Sequence, residues 1–329
     1  RIDAAGLCHS DLSVINGDRP RPMPMALGHE ATGIVEALGS QDDPLFAVGD
    51  RVVLAFLPMC GDCVRCRSGE GYLCPNGAAA NGEGRLLLGG RRLHDHGAEV
   101  HHHLGVSAFA THAVVDRRSA VKIDAAIPPE IAALFGCAVL TGVGAVVNTA
   151  RLQPGQTAAV IGLGGVGLSS VLGAVASGAA RVVAVDLSDD KLGLARQLGA
   201  THTVNARDPD AAEQVRAATG GGVDVAFEMA GAVRAMELAW AVTRRGGLTV
   251  TAGLPPPGAS LALALVQLVA EERTVRGSYI GTCVPARDIP RYIALYRAGK
   301  LPVDRLMSGT LGLDDINEGF DRLHEGKAV

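Results

Sequence analysis

Apolar and polar positions follow two rhythms along this chain. From Thr157 onward, short apolar runs alternate with segments of helical spacing. Ala158–Ile161 reads as a strand and Val166–Ser177 as a small-residue helix. Arg181–Val185 is a second strand, followed by an amphipathic helix over Asp189–Leu198. Val223–Phe227 and Leu248–Ala252 are further strands, with Ala232–Thr243 helical between them. Strands that alternate with helices predict a parallel sheet covered on both faces. Before about Leu140 the pattern is different. Prolines and glycines punctuate short apolar runs such as Arg51–Phe56 and Phe109–Val115, the texture of a β-rich domain. After about Gly281 a helix over Ile289–Ala298 and a short tail follow. The expected architecture is a β-rich domain, residues 1–138 and 282–329, interrupted by an α/β domain at 139–281.

Two uncharged stretches, Ile131–Ala150 and Thr157–Ala180, would register in a hydropathy scan. Both are rich in Gly, Ala and Ser, and a glycine turn splits the second, so a buried βα unit accounts for them better than a membrane span. Aromatic residues are only 3% of the chain, so the cores must be built from Ala, Val and Leu. The net charge of −4 argues against nucleic acid or an anionic membrane as the main partner. Seven cysteines, an odd number with four of them clustered, do not fit a disulfide framework. A reducing compartment, the cytoplasm, and metal ligation are the expectation.

Gly162, Gly164 and Gly167, with Gly165 between them, form G-x-G-x-x-G at a strand-to-helix junction. The first glycine permits a tight turn, the second lets a pyrophosphate approach the backbone, and the third lets helix and strand pack closely. The helix N-terminus offers free N–H groups to phosphate. Asp186 ends the next strand, where a carboxylate accepts hydrogen bonds from an adenosine ribose and repels a 2′-phosphate. NAD is therefore expected over NADP. Lys191, one turn into the following helix, could reach the same ribose or simply face solvent. Asp224 and Glu228 lie on or near a strand whose end faces the cofactor, with a purely structural role open to either.

Cys60, Cys63, Cys66 and Cys74 sit on one short polar loop. Their spacing lets the backbone fold around one tetrahedral Zn²⁺ with all four positions filled, a structural site. A nucleic-acid zinc ribbon would want basic and aromatic neighbours, which are scarce here. Cys8, His29 and Cys137 are far apart and mean little alone; a buried cysteine such as Cys137 is commonly just a small hydrophobe. Their contexts are more telling: Gly6-Leu-Cys-His-Ser-Asp-Leu12, Gly28-His-Glu-Ala-Thr-Gly33 and Leu134-Phe-Gly-Cys-Ala-Val-Leu-Thr-Gly142.

These ordered segments, together with the cysteine lobe and the glycine motif, resemble the medium-chain, zinc-dependent alcohol dehydrogenases over nearly the whole chain. His103-Leu-Gly-Val-Ser-Ala-Phe109 further resembles the liver-type and glutathione-dependent formaldehyde dehydrogenase branch. The resemblance implies a GroES-like catalytic domain around a Rossmann cofactor domain. It implies a catalytic zinc on Cys8, His29 and Cys137, with Glu30 close behind the metal and Asp11 as the partner of the zinc histidine. His9 matches a basic residue near the pyrophosphate, Thr141 a threonine against the nicotinamide, and Ser10 the hydroxyl that carries the alcohol proton. The liver-type relay ends in a histidine where this chain has Ser13, so proton exit through water is expected. The family pattern also implies strands ahead of Arg1 and an arginine beyond Val329. The expected activity is hydride transfer between a primary or secondary alcohol, or an aldehyde or ketone, and NAD, in a homodimer or homotetramer that pairs through Thr274–Tyr279. A zinc-free quinone or enoyl reductase, or a non-catalytic NAD(H)-binding redox sensor, is the alternative. The resemblance supplies no ligand among His94, His96 and His101 to His103, which are expected to form a solvated loop. Cys283 is expected in a core or cleft.

Overall fold

A computed structural model of the chain describes residues 1–40 and 43–326; positions 327–329, at the end of the expected β-rich domain, lie outside the described residues. One compact unit comprises Arg1–Leu140, Val284–Ala294 and the residues from Met307 on. The other comprises Thr141–Cys283 and Leu295–Leu306.

The first unit is built on two small sheets. Ile2–Ala5, Ala31–Ile34, Arg51–Leu54 and Ala120–Lys122 form an antiparallel sheet in that order. Met25–Ala26, Ala98–His102 and Leu93–Asp95 form the other. Val52 and Leu54 alternate inward as a two-residue period demands, and pack with Ala31, Val106 and Ala108. The apolar run Phe109–Val115 is not a strand: the chain there is irregular, although the Thr111 carbonyl still accepts from the N–H of Ile2. A short helix, His9–Ile15, is anchored by Leu12 against Phe320 and Leu323 of the last helix, Ile316–His324.

The second unit holds six strands, all parallel, ordered His202–Asn205, Arg181–Asp186, Thr157–Ile161, Val223–Glu228, Thr243–Thr251 and Thr274–Gly277. Numbered along the chain this is the order 3-2-1-4-5-6 of a doubly wound dinucleotide fold. The expected fold class is therefore observed: a β-rich unit interrupted by a doubly wound parallel sheet. One core cluster is Ala159, Ile161, Val183, Val185, Val204 and their neighbours, all aliphatic; Phe227 of the same sheet is also fully buried. The uncharged stretch Thr157–Ala180 is a strand, Thr157–Ile161, and a helix, Gly165–Ala176. Ile131–Ala150 is broken into the helices Pro129–Leu134 and Ala138–Gly144 and a π-helical turn over Ala145–Ala150. No helix among the described residues is long and apolar enough to cross a membrane.

Asp224 and Glu228 stand at opposite ends of one strand. Asp224, near the N-terminal end, accepts from the N–H and hydroxyl of Thr157 at 2.7 and 2.8 Å and from Arg244 at 2.7 and 2.9 Å. It is thus remote from the glycine turn and staples strand ends. Burial by itself would raise its pKa; the Thr157 and Arg244 bonds outweigh burial and hold it below the ordinary carboxylate value. A depressed native value makes the carboxylate stabilising above its unfolded pKa of about 3.9, and that share is lost as pH falls through the native value. Asp224→Asn is expected to lower the urea unfolding free energy by about 1–2 kcal/mol at pH 7. The deficit should shrink below about pH 4. A deficit that stays constant to pH 2.5 would remove the staple.

Candidate active site

Three separated stretches of the first unit converge. Cys8 caps the helix His9–Ile15 in extended backbone, which puts Asp11 in the first turn facing inward. Gly28 has φ +94°, and a Cβ there would lie 2.5 Å from the Phe109 backbone nitrogen. Only glycine lets the chain turn there and deliver His29 and Glu30 into the strand Ala31–Ile34. Gly136 plays the matching part for Cys137: a Cβ would meet the Leu54 carbonyl at 2.4 Å. The Sγ atoms of Cys8 and Cys137 and a ring nitrogen of His29 lie within 4.8 Å of one another.

The electrostatics of this cluster favour a cation. Cys8 is pulled well below the usual thiol value, first by the hydrogen bond from Cys137 and then, against burial, by His29. Cys137 is pushed up by the Cys8 sulfur and by burial, so the two thiols share one proton. Burial opposes charge on His29, but Asp11 and Cys8 overcome it and raise its pKa. Two sulfurs that cannot both ionise in isolation, plus one imidazole, are a soft N/S donor set that zinc fits. His29 Nδ1 lies 2.9 Å from Asp11 Oδ2. Asp11 is fully buried. Burial would raise it, but His29 and His103 outweigh burial and hold it well below the usual carboxylate range. The ionised carboxylate has no proton to give, so the ring N–H donates and Nε2 is left as the free donor atom.

Glu30 stands outside this three-residue group. Its Oε2 accepts from the Ala138 N–H at 3.3 Å, and burial, reinforced by Cys8, pushes it up to about 8. Ser10 is half-buried on the same helix, and His9 is exposed at its first position. Ser13 donates its hydroxyl to the His9 carbonyl at 2.9 Å.

The four-cysteine lobe is assembled independently. Cys60 and Cys66 sulfurs are 3.9 Å apart, and those of Cys63 and Cys74 are 4.0 Å apart. These separations are far too long for disulfides. A tetrahedron with arms of about 2.3 Å has edges of about 3.8 Å, so zinc fits them. Backbone N–H groups of Cys63, Cys66 and Gly77 point at the sulfurs of Cys60, Cys63 and Cys74, each at 3.4 Å. Asn76 adds a side-chain donor to Cys60 at 3.3 Å. Burial opposes ionisation of Cys60, but these donors lower it to about 6. Cys66 is pushed up to about 12, by burial first and then by the neighbouring sulfurs. Neither the motif nor the resemblance pointed to Asn76; it lies in the sequence only as a polar residue shortly after the last cysteine.

In the second unit the glycine turn sits at the switch point of strand order. Gly162 has φ +91°, and a Cβ there would strike Ala230. At Gly167 a Cβ would lie 1.8 Å from the Gly162 carbonyl oxygen. The space over Gly164 is open, and this residue caps the twelve-residue helix, which starts at Gly165, without any side-chain acceptor. Asp186 accepts from the Leu163 N–H at 2.7 Å and the Ser188 N–H at 2.9 Å, so it ties the glycine turn to the end of its own strand. Glu228 is buried and accepts from the N–H groups of Ala230 and Gly231, which back the turn. Lys191 is half-buried on the helix Asp189–Gln197. Thr141 is buried and its hydroxyl oxygen has no hydrogen-bond partner among the described residues. Cys283 is buried and accepts from the Asn148 amide at 3.2 Å. An open glycine cradle at a helix N-terminus, beside an ionisable strand-end carboxylate, fits a dinucleotide.

The histidine tract departs from expectation. His94 and His96 are exposed, but His102 and His103 are buried. His103 Nδ1 reaches Asp11 Oδ1 at 2.9 Å, and its ring meets that of His29 edge-on at 5.4 Å. The solvated-loop expectation fails for these two residues.

Comparison with known proteins agrees with this geometry. A zinc-binding dehydrogenase family model matches residues 165–298, and an alcohol dehydrogenase GroES-like domain model matches residues 1–125. An alcohol dehydrogenase zinc-binding domain protein from Burkholderia ambifaria is 35% identical across 100% of this chain and 88% of its own, with a TM-score of 0.94. Benzyl alcohol dehydrogenase from Acinetobacter calcoaceticus is 32% identical, covering 99% of this chain and 88% of its own, with a TM-score of 0.91. A zinc-binding dehydrogenase from Sinorhizobium meliloti 1021, bound to NADP, is 28% identical over 97% of this chain and 86% of its own, with a TM-score of 0.79.

Proposed function

From the premise that this chain belongs to the medium-chain, zinc-binding alcohol dehydrogenase family of oxidoreductases, we propose that it is a zinc- and NAD-dependent alcohol dehydrogenase. The observation that carries the reading is the convergence of Cys8, His29 and Cys137 on one buried point. When bound, zinc supplies a Lewis acid and the nicotinamide a hydride acceptor. Cys8, Cys137 and His29 Nε2 would hold the catalytic ion, and the three-donor count suits a catalytic rather than a closed site. Cys60, Cys63, Cys66 and Cys74 would hold a second, structural ion.

Asp11 keeps His29 in the tautomer that presents Nε2. Glu30, buried with its Oε2 on the Ala138 N–H, would stand close behind the ion. Ser10 would accept the alcohol proton on its hydroxyl oxygen while passing its own hydroxyl proton onward. Ser13 spends its own hydroxyl on the His9 carbonyl and is no base near neutral pH, so the proton leaves through water. Gly162, Gly164, Gly165 and Gly167 would seat the pyrophosphate, Asp186 and Lys191 the ribose, Thr141 the nicotinamide, with His9 near the phosphates. We place the protein in the cytoplasm as a homodimer or homotetramer. The edge strand Thr274–Gly277, exposed along its length, is the proposed pairing surface. Substrates are small primary or secondary alcohols. Aromatic ones come first for testing, since a relative 32% identical is a benzyl alcohol dehydrogenase. The sequence of the segment His103–Phe109 supports the liver-type and glutathione-dependent formaldehyde dehydrogenase branch of the family.

The test is an alcohol panel with NAD and NADP, paired with zinc analysis. Two zincs per chain and alcohol-dependent NADH formation are expected. One zinc with tight NADH binding and no turnover would make the protein a redox sensor, and no zinc with quinone reduction would make it a zinc-free reductase. Asp186→Asn keeps a side-chain acceptor but removes the charge. The NADP-to-NAD ratio of kcat/KM should rise about tenfold as like-charge repulsion is lifted. An unchanged ratio would dismiss Asp186 as the ribose discriminator.

A further inference from the structure

His103 has no assigned part in the reaction, yet it is among the largest fully buried side chains of the described residues. It is 1% exposed. Its N–H faces the Ala26 carbonyl at 3.2 Å and the Ser107 hydroxyl at 2.9 Å, and its carbonyl accepts from Val106 and Ser107. The next turn continues the fastening, with Ala108 and Phe109 donating to the carbonyls of Gly28 and Leu27, the residues that lead into His29. Leu104 and Ser107 both adopt left-handed backbone, each with φ +52°. Side chains in that region cost on the order of 1 kcal/mol each and persist where the surroundings demand them. The chain accepts this conformation in the loop that aims the His103 ring at Asp11.

The Asp11 carboxylate divides its two oxygens. Oδ2 faces His29 Nδ1 at 2.9 Å. Oδ1 takes His103 Nδ1 at 2.9 Å and the Gly28 N–H at 3.0 Å. The N···O separations of 2.9 Å put both rings within ion-pair and hydrogen-bond distance of the carboxylate. Donor atoms sharing one ion at about 2.0–2.1 Å would stand about 3.3 Å apart, so this trio is not a further metal site. Without His103 the buried carboxylate would keep one backbone donor on Oδ1 and could rotate about its Cβ–Cγ bond, carrying Oδ2 off the His29 ring.

We propose that His103 is a positioning residue of the metal centre, a second histidine that locks the Asp11 carboxylate in the orientation presenting Oδ2 to His29. The inference rests on the zinc assignment to Cys8, His29 and Cys137. Its effect should show in how firmly that ion is held. Partners one step out from a ligand commonly change metal affinity by about 10–100-fold, and His103 stands one step further, so a change of about tenfold is expected.

The experiment uses the full chain with both zincs loaded and follows zinc release to a chromogenic chelator, with the four-cysteine zinc as internal reference. His103→Leu keeps bulk without a donor, and His103→Asn keeps an N–H close to the Nδ1 position. Leucine should speed release of one zinc about tenfold while the other is unchanged, and asparagine should restore release to within about twofold of the parent. After cobalt substitution at the same site, the visible d–d bands should shift in the leucine variant and return in the asparagine variant. Parent-like release in the leucine variant would overturn the proposal. Equal acceleration in both variants would do the same, by making His103 a packing residue. A parent protein that holds only one zinc would sink the zinc assignment itself, a separate result.

Discussion

Cys137→Ala will lower kcat/KM for alcohol oxidation by about a thousandfold and drop zinc from two ions per chain to one. The rate figure follows from the several kcal/mol of charge stabilisation that a Lewis acid gives, at tenfold per 1.36 kcal/mol. The substitution removes one sulfur at a buried position and leaves the four-cysteine lobe intact, so the thermal midpoint should move by only a few degrees. Steady-state kinetics and elemental analysis on the same sample decide the matter. Retention of both ions, or of ordinary turnover, would show that Cys137 is not a ligand and would leave the proposed oxidation without an electrophile.

Cys74→Ala attacks the other cluster and should act on the fold of the lobe. Cys74 is 1% exposed, and its sulfur accepts from the N–H groups of Cys60 and Gly77. Apart from such bonds the lobe has a meagre apolar interior: the helical turns Val64–Arg67 and Gly71–Leu73 bury only Gly71. Ion binding to sites of this kind is worth on the order of 10 kcal/mol, more than the residual packing can replace. The expected outcome is loss of one zinc and local opening. Trypsin cleavage at the exposed Arg65 and Arg67 should then accelerate at least about tenfold. Cleavage at the parent rate with two zincs retained would separate the lobe's order from metal.

The parts of the site legible in the sequence were those with short-range causes. The glycine motif declares itself because each glycine answers a local demand: a positive φ at Gly162, a backbone clash at Gly167. The four cysteines declare themselves because one loop brings them together. His103 was illegible for the opposite reason. It ends a run with the half-buried His101 and the buried His102, close to the exposed His94 and His96, and nothing in that polar run reveals that Leu104 and Ser107 fold the chain inward toward a carboxylate ninety-two positions earlier. The sequence leaves Asp224 and Glu228 open between a cofactor-facing and a structural role because it does not say which end of their strand carries the chemistry. The Phe109–Val115 run has the composition of a strand, but apart from the Thr111 carbonyl it joins no ladder. In each case the deciding partner lies far along the chain, and periodicity is blind to it.

Asp186 holds the Leu163 N–H with the same carboxylate that is proposed to choose the coenzyme. Selectivity and loop integrity are thereby inherited together. Any lineage, or any designer, moving this enzyme toward a phosphorylated coenzyme must first supply a substitute anchor for that one amide. Only then can the negative charge be surrendered without loosening the cradle it guards.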